Sequence, residues 1–303
     1  MERRRRNTPV ICAAMLALLV LLSACAGNAP TGTSPASSER ASEKSSAAAP
    51  ETKASDPGTD STDPKADGTA PEADSTALES IELTLANLNI KHGAEGLDKV
   101  AEAIREISPE IIGLEEVDVN CERSDHVDEP AVLAELAGYP YYAFAKAIPL
   151  GAGEYGTAIL SRYPIESFEV TPLDSGNGEN RAVGHAVITV EGIRLDVFVT
   201  HLSFEDRSVR ISQMKTIAGM LKKCGRYVLL GDLNSFNIED IAYLEAAYYL
   251  NREDRHYPTF RRFDSSPDNI VLSEGFTEIA SGVSDAECSD HKLLWGIFRL
   301  SMN

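Results

Sequence analysis

The segment 26–77 contains no Val, Ile, Leu, Met, Phe, Trp, Tyr or Cys. A chain of this composition cannot bury enough apolar surface to offset the conformational entropy that folding removes. We therefore predict a disordered tether over residues 25–78, with a root-mean-square span of about 40 Å if it is fully flexible. Folded structure is then expected in residues 79–303, a length typical of one α/β domain.

Residues 1–24 have the pattern of an export signal. Four arginines at 3–6 precede an apolar core at 11–22, which is shorter than a membrane-spanning helix requires. The sequence LSAC that ends at Cys25 resembles the lipobox of bacterial lipoproteins. It predicts a lipoprotein signal peptide over 1–24, acylation of Cys25, and an extracytoplasmic protein anchored to a bacterial membrane by its lipid. The alternative is a plain secretory signal in which Cys25 is incidental.

The charge of the chain bears on its partners. Lys and Arg number 28 against 47 Asp and Glu, a formal net charge of −19. Binding to a nucleic-acid backbone depends on basic groups that displace counterions, so duplex nucleic acid is a disfavoured partner. A small phosphate ester stays compatible, because one bound divalent cation can invert the potential inside a cleft. No sequence pattern indicates an oligomer, and we expect a monomer.

The cysteines of the domain are Cys121, Cys224 and Cys288. This odd number is compatible with one disulfide and one thiol, or with three thiols. Their spacing is not that of a zinc site, so a cysteine-based metal site is not predicted.

Hydrophobic periodicity predicts an α/β (α+β) domain in which strands and helices alternate. Strand-like segments occur at 81–88, 111–114, 156–160, 185–190, 195–199, 227–230, 269–272 and 293–298. Helical patterns occur at 97–107, 206–221 and 238–248.

Polar side chains stand repeatedly at the ends of these predicted strands, where loops leave a rigid sheet. They are Asn89 in LNIKHG, Glu116 in LEEVD, His201 in THL, Asp232 and Asn234 in GDLN, Asp268 in DNI, and Asp290 and His291 in SDH. Oxygen ligands from Asp, Glu and Asn suit a hard cation such as Mg²⁺ or Mn²⁺. No Ser or Cys lies in a recognisable nucleophile motif.

The motifs, in this order across residues 81–303, resemble those of the endonuclease/exonuclease/phosphatase superfamily, which includes DNase I. The resemblance implies a DNase I-like, four-layer αββα sandwich with the site at one end of two packed sheets. It also implies a divalent-metal-dependent phosphoesterase that hydrolyses a phosphodiester or phosphomonoester by in-line attack of water, with Mg²⁺ or Mn²⁺ as the cofactor. A single tripeptide would be weak evidence, whereas five motifs in order are specific.

The resemblance implies a role for each motif residue. Glu116, Asn89 and Asp290 correspond to metal ligands. Asp232 would orient or deprotonate the attacking water or assist the leaving group, and Asn234 would contact phosphate or metal.

The histidines have implied roles as well. Asp268 would pair with His291 and make it a better base or a phosphate-facing cation. His201 would hydrogen-bond the phosphoryl oxygens and supply charge there. Arg123, His92 and Arg181 are weaker candidates for substrate binding, with a surface salt bridge or simple exposure as the alternative.

Two positions depart from the family pattern. Glu115 stands where Gln is usual, and it is expected to add charge that tightens cation binding or repels an anionic substrate. Thr157 stands where many members have Asn, which removes any phosphate contact made by that Asn.

Three other functions compete with a phosphoesterase of unspecified substrate. An extracellular nuclease would use the same chemistry, and a surface-anchored binding module could share the scaffold without turnover. A purely structural envelope lipoprotein would explain the signal and the tether but not the site. A missing ligand would favour the binding module. The full set is present, so the sequence favours an enzyme.

Overall fold

The structure, a computed structural model, describes residues 80–301. The predicted signal peptide, the lipidation site at Cys25 and the predicted tether lie outside this range. In the part of the chain that is described, no helix is long and apolar enough to cross a membrane.

The described residues form strands, α-helices and short 3-10 helices. The strands and α-helices are β1 (Ser80–Asn89), α1 (Leu97–Ile107), β2 (Ile111–Val119), α2 (Glu129–Ala137), β3 (Tyr141–Leu150), β4 (Gly153–Ser161), β5 (Ile165–Leu173), β6 (Arg181–Val190), β7 (Ile193–His201), α3 (Arg207–Leu221), β8 (Tyr227–Asp232), β9 (Tyr248–Tyr249), β10 (Asp268–Leu272), β11 (Phe276–Val283) and β12 (Leu294–Ser301). The 3-10 helices are Lys91–Gly93, Glu122–Ser124 and Ile238–Leu244.

The strands form two six-stranded sheets. The first sheet has the order β11-β12-β1-β2-β4-β3, and the second has the order β5-β6-β7-β8-β10-β9. Each sheet contains one parallel pair, β1 with β2 and β7 with β8. Parallel strands end at the same edge of a sheet. The last residues of β1 and β2 therefore lie at one edge of the first sheet, and those of β7 and β8 lie at one edge of the second.

Apolar side chains of each strand alternate between two cores. In β2, Ile111 packs between the two sheets, whereas Ile112 packs against α1 and α2. In β8, Leu230 faces the first sheet, whereas Leu229 packs against α3. Each sheet is therefore covered by the other sheet on one face and by helices on the other, which is the four-layer sandwich that the resemblance implied.

Three buried clusters fill the layers of the sandwich within residues 80–301. We expect this unit to fold without the preceding chain.

Most predicted elements are present, with one local difference. Helix α3 begins after Asp206, whose carboxylate accepts a hydrogen bond from the backbone N–H of Ser208 at 2.6 Å. The helix predicted at 238–248 is wrong beyond Leu244, because Glu245 takes a φ of 53° and ends a 3-10 helix. Tyr248 belongs to β9.

The three cysteines of the domain, Cys121, Cys224 and Cys288, are free thiols. Of the two arrangements that the sequence allowed, the structure contains the one without a disulfide.

Candidate active site

Strand ends from both sheets meet at one edge of the sandwich. Asn89 ends β1 and pairs in register with Glu115 of β2. In the second sheet, His201 ends β7 beside Asp232, which ends β8. Asp268 begins β10 and also pairs with Asp232. The strands therefore bring together residues that lie up to about 180 positions apart in the chain.

A β-bulge directs Glu116 toward this edge. The pairing of β2 with β4 shifts between Leu114 and Val117, which adds one residue to β2. Glu116 takes a φ of 54°, and its side chain is half-buried, whereas Glu115 is fully buried. The irregular backbone thus separates two adjacent carboxyl groups into different environments.

Asn89 connects the two sheets. Its Nδ2 donates to Glu116 Oε1 at 3.0 Å and to Asp232 Oδ2 at 3.1 Å. Its Oδ1 accepts from the backbone N–H of Lys91 at 3.0 Å. In this orientation the amide nitrogen, rather than the oxygen, faces the carboxylates, so a metal-ligand role for Asn89 requires the amide to turn over.

The carboxylates at this edge fit a hard divalent cation. Burial raises the pKa of Glu116, and the nearby charges of Asp232 and Asp290 raise it further. Asp290 also accepts an ion pair from Lys91 Nζ at 3.0 Å. Several oxygen donors with mutually repelling charges converge here, and a doubly charged cation between them would relieve the repulsion.

His291 forms a buried dyad with Asp268. The His291 Nδ1 atom lies 2.8 Å from Asp268 Oδ2, so Nδ1–H donates to the carboxylate and Nε2 is left to face Asp232 Oδ2 at 3.9 Å. Burial alone would lower the pKa of His291, but the charges of Asp268, Asp232 and Asp290 outweigh it and raise the pKa to about 10. A pKa this high favours the imidazolium at neutral pH, and the role of the ring as a base or as a phosphate-facing cation stays a prediction.

His201 has the opposite charge state. Arg181 Nη1 donates to His201 Nδ1 at 3.1 Å, which places the ring proton on Nε2, 3.6 Å from Asp232 Oδ2. Burial and the charge of Arg181 lower the pKa of His201 to about 3. The expectation that His201 supplies positive charge is therefore wrong, because its ring stays neutral and can donate one N–H.

Arg181 lies behind His201 rather than at an open surface. Its side chain is buried, and its Nη1 also forms an ion pair with Glu179 at 3.0 Å. Neither alternative from the sequence, a surface salt bridge or a direct substrate contact, describes this position. The geometry instead assigns Arg181 to fixing the His201 tautomer.

Two further contacts hold the site together. Asn234 takes a φ of 48°, its backbone N–H donates to Asp232 Oδ1 at 2.9 Å, and its side chain donates to Leu202 O at 2.9 Å. Ser289 Oγ donates to Asn89 O at 2.7 Å, which ties the loop of His291 to the end of β1. The sequence analysis missed the role of Ser289, although its place in the SDH motif was a signal for it.

The weaker candidates Arg123 and His92 lie together beside the site. They line the same cavity, and the charge of Arg123 adds to burial in lowering the pKa of His92. Two guanidinium nitrogens of Arg123 donate to the two carboxylate oxygens of Asp118, each at 2.8 Å, and the group lies 5.2 Å from the ring centroid of Tyr155. Arg123 is thus held in a salt bridge, as the alternative interpretation proposed.

The sequence analysis expected Glu115 to add negative charge, and the buried environment of its carboxyl argues against this. Burial raises its pKa well above the usual value, and the charges of Asp268 and Asp232 raise it further. Asn87, which the sequence analysis missed, donates to Glu115 Oε2 at 3.1 Å and to Asp268 Oδ1 at 3.2 Å. A carboxyl in this environment favours its neutral form, so Glu115 takes the place of a neutral amide rather than adding charge.

We expect Glu115→Gln to raise the free energy of unfolding by about 2 kcal/mol at pH 8. The raised pKa of Glu115 means that its contribution to stability is full below about pH 4.5 and is lost as pH rises through the pKa of the folded state. Gln does not titrate, so the difference between the two proteins should grow with pH in urea denaturation. Parallel stability curves from pH 5 to pH 9 would contradict a neutral Glu115.

A second group of possible metal ligands lies elsewhere on the second sheet. Donor atoms of His185, Asp196 and Cys224 lie within 4.8 Å of one another. The Asp196 carboxylate is already engaged by His185 Nε2 at 2.8 Å and by Arg194 Nη2 at 3.0 Å. Asp196 precedes His201 by five residues on β7, or about 17 Å, so this group is separate from the candidate active site.

The sequence profile of the endonuclease/exonuclease/phosphatase family matches residues 86–291. A search of curated proteins finds no match. Among solved structures, the chain is similar to an endonuclease/exonuclease/phosphatase from Beutenbergia cavernae, with a TM-score of 0.63, 22% identity, and coverage of 73% of this chain and 72% of that one.

Two other similar structures carry more specific descriptions. One is a mannosyl-6-phosphatase from Bacteroides thetaiotaomicron, with a TM-score of 0.56, 14% identity, and coverage of 71% of this chain and 99% of that one. The other is D. rerio TDP2 complexed with single strand DNA product, with a TM-score of 0.56, 17% identity, and coverage of 72% and 98%. At these identities the likeness shows the fold.

The profile match includes the residues that the structure gathers at one edge, from Asn89 through Glu116 and Asp232 to His291. Members of this family are hydrolases that act on phosphoester bonds, and they generally use divalent metals. The match spans more than half of the sequence, and the fold agrees with it. The chain belongs to the endonuclease/exonuclease/phosphatase family.

Proposed function

We propose that this protein is a divalent-metal-dependent hydrolase of phosphoric esters that acts outside the cytoplasm, held at a membrane by the lipid predicted at Cys25. Its substrate is a phosphodiester or a phosphomonoester, and its metal is Mg²⁺ or Mn²⁺. The observation that carries the proposal is the convergence of Glu116, Asp232, His201 and His291 at one edge of the sandwich, where Asn89 bonds to both Glu116 and Asp232. When bound, the cation would neutralise charge on the phosphate and polarise the reacting P–O bonds.

The residues of the chain divide the remaining tasks. Glu116, with Asp290 nearby, would hold the cation, and Asn89 would join them if its amide turned over. Asp232 lies between the amide of Asn89 and both imidazoles, so it is placed to orient the attacking water and accept its proton.

The two histidines would bind the phosphoryl oxygens in different ways. The Nε2 atoms of His201 and His291 lie 3.6 and 3.9 Å from the same oxygen, Asp232 Oδ2, so both N–H groups border one small volume. His201 contributes a neutral donor, and His291 contributes a donor with positive charge. Together they would stabilise the negative charge that develops on the phosphate as the ester bond breaks.

The first test is metal-dependent hydrolysis of bis-p-nitrophenyl phosphate and p-nitrophenyl phosphate by residues 26–303. We expect release of p-nitrophenol with Mg²⁺ or Mn²⁺ and none with EDTA, and the preferred ester separates diesterase from monoesterase activity. Glu116→Gln should raise the Mg²⁺ concentration for half-maximal rate by at least about tenfold, because one charged oxygen ligand is lost.

Glu115→Gln is the matched control, since it makes the same change one residue earlier at a side chain that is already neutral. Its Mg²⁺ dependence should follow that of the unchanged protein. Equal Mg²⁺ dependence of the Glu115 and Glu116 variants would contradict the assignment of Glu116. Hydrolysis that persists in EDTA would contradict the metal dependence.

A further inference from the structure

Three phenylalanines are more than half exposed to solvent. Phe204 is 60% exposed, Phe236 57% and Phe263 56%, more than any other large hydrophobic side chain of residues 80–301. Single exposed apolar residues are ordinary on protein surfaces, but several at one place indicate a contact surface.

All three lie on loops at the edge of the second sheet that carries the candidate active site. Phe204 follows His201 by three residues, and Phe236 follows Asp232 by four. Strands β7 and β8 are parallel, and His201 pairs with Asp232 at their ends. The loops after both strands therefore leave the sheet side by side at this edge.

Phe263 reaches the same edge from the other direction. It lies in the segment that leads into β10, whose first residue, Asp268, pairs with Asp232. The ring of Phe260 in this segment lies 5.0 Å from the His291 ring, and the Phe263 ring lies 5.8 Å from that of Phe260, measured between centroids. We call Phe204, Phe236 and Phe263 the phenylalanine rim.

The charges beside the rim decide what it can contact. Exposed carboxylates follow each phenylalanine within three residues; they are Glu205, Asp206, Glu239 and Asp264. The exposed Arg207 in the same stretch is ion-paired with the buried Asp240. The exposed carboxylates repel a polyanion, which disfavours nucleic acid and strongly anionic lipid. They attract the ammonium of a zwitterionic head group, and the exposed guanidinium of Arg262 beside Phe263 can meet its phosphate.

We propose that the phenylalanine rim docks the active site onto a bilayer of zwitterionic phospholipid, so that the phosphoester of a lipid head group reaches Asp232 and the two histidines. Apolar rings that insert at a bilayer interface recover the free energy lost by exposing them to water. The substrate class therefore rests on the proposed phosphoesterase function, whereas docking itself does not require turnover.

The opposite edge of the sandwich provides a matched control surface. Tyr141 and Tyr142 begin β3 and are also exposed. Tyr141 pairs with Ser161 of β4, which pairs with Ile111 at the start of β2. Since Glu116 lies toward the other end of β2, these tyrosines are remote from the candidate active site.

The test is sedimentation of residues 26–303 with sucrose-loaded phosphatidylcholine vesicles. This segment contains all three cores and leaves out Cys25 and the apolar core of the signal. The combined substitutions Phe204→Ala, Phe236→Ala and Phe263→Ala should lower the vesicle partition coefficient by at least about tenfold. The pair Tyr141→Ala and Tyr142→Ala should lower it by less than about twofold, and thermal melts establish that each variant is folded.

Two results would overturn the proposal. One is equal partitioning of the phenylalanine and tyrosine variants. The other is tighter binding to phosphatidylglycerol vesicles or to a single-stranded oligonucleotide than to phosphatidylcholine. Vesicle binding without hydrolysis of any ester would refute the phosphoesterase function and support the docking surface. Hydrolysis of soluble esters without vesicle binding would refute the docking surface and support the phosphoesterase function.

Discussion

Asp232→Asn should lower kcat/KM for bis-p-nitrophenyl phosphate by about 10⁴-fold while the protein stays folded. The Asp232 carboxylate accepts hydrogen bonds from the backbone of Asn234 and the side chain of Asn89, and it faces both His201 and His291. Asn preserves the volume of the side chain but cannot accept the proton of an attacking water. Steady-state kinetics across a Mg²⁺ titration would measure the loss, and thermal unfolding would measure the fold.

Asp196→Asn is the control for this prediction. Asp196 is also a buried carboxylate on the second sheet, but it lies toward the other end of β7 and pairs with His185 and Arg194. The same change of charge there should leave kcat/KM within about threefold of the original value, because field effects fall off over such a distance. Comparable losses in the two variants would mean that Asp232 acts through the general charge of the sheet and not by contact with the reacting groups.

The sequence located several candidate site residues because they follow strongly apolar strands. Asp232 lies two residues after the buried segment 227–230, and His201 lies two residues after 195–199. Such strands are identified by local pattern, and their ends must lie where a sheet meets a loop. The parallel pairing that joins His201 to Asp232 then places both at one edge without further information.

The strands that hydrophobic periodicity did not predict are more exposed than those that it predicted. Most residues of β3 and β5 are only partly buried, and each strand contains a proline, Pro149 and Pro172. Both strands lie at the edge of their sheets. Few residues of these edge strands are buried, so apolar and polar side chains do not alternate regularly and local periodicity gives little signal for them.

The charge states of the site could not be read from the sequence for a related reason. His201 and His291 each lie in a short motif that is typical of a phosphate-binding imidazole. Burial, reinforced by Arg181 20 residues from His201, keeps one ring neutral. At His291, the charge of Asp268, 23 residues away, is the largest of those that outweigh burial. Burial enters both outcomes, and neither the long-range contact nor the burial is encoded in a short motif.

Asp268→Asn should move the alkaline limb of the pH profile of kcat from near pH 10 to lower pH. Burial lowers the pKa of His291, and the charge of Asp268 is the largest of the three that raise it to about 10. Without this charge, burial weighs more heavily, the ring loses its proton at lower pH, and the phosphate then loses its cationic partner. At pH 8 we expect kcat to fall about 100-fold.

The free energy of unfolding should also depend on pH through the charge of His291. This dependence distinguishes a loss of charge at His291 from general damage to the fold. The pKa of His291 is raised above 6.5, so its contribution to stability is full below pH 6.5 and is lost as pH rises through about 10. Urea denaturation should show this loss in the original protein and not in Asp268→Asn. Ser289→Ala is the control, since Ser289 Oγ accepts from the His291 backbone N–H at 3.2 Å without contributing charge. If Ser289→Ala moved the alkaline limb as far as Asp268→Asn does, the position of the ring, and not its charge, would govern the pH dependence.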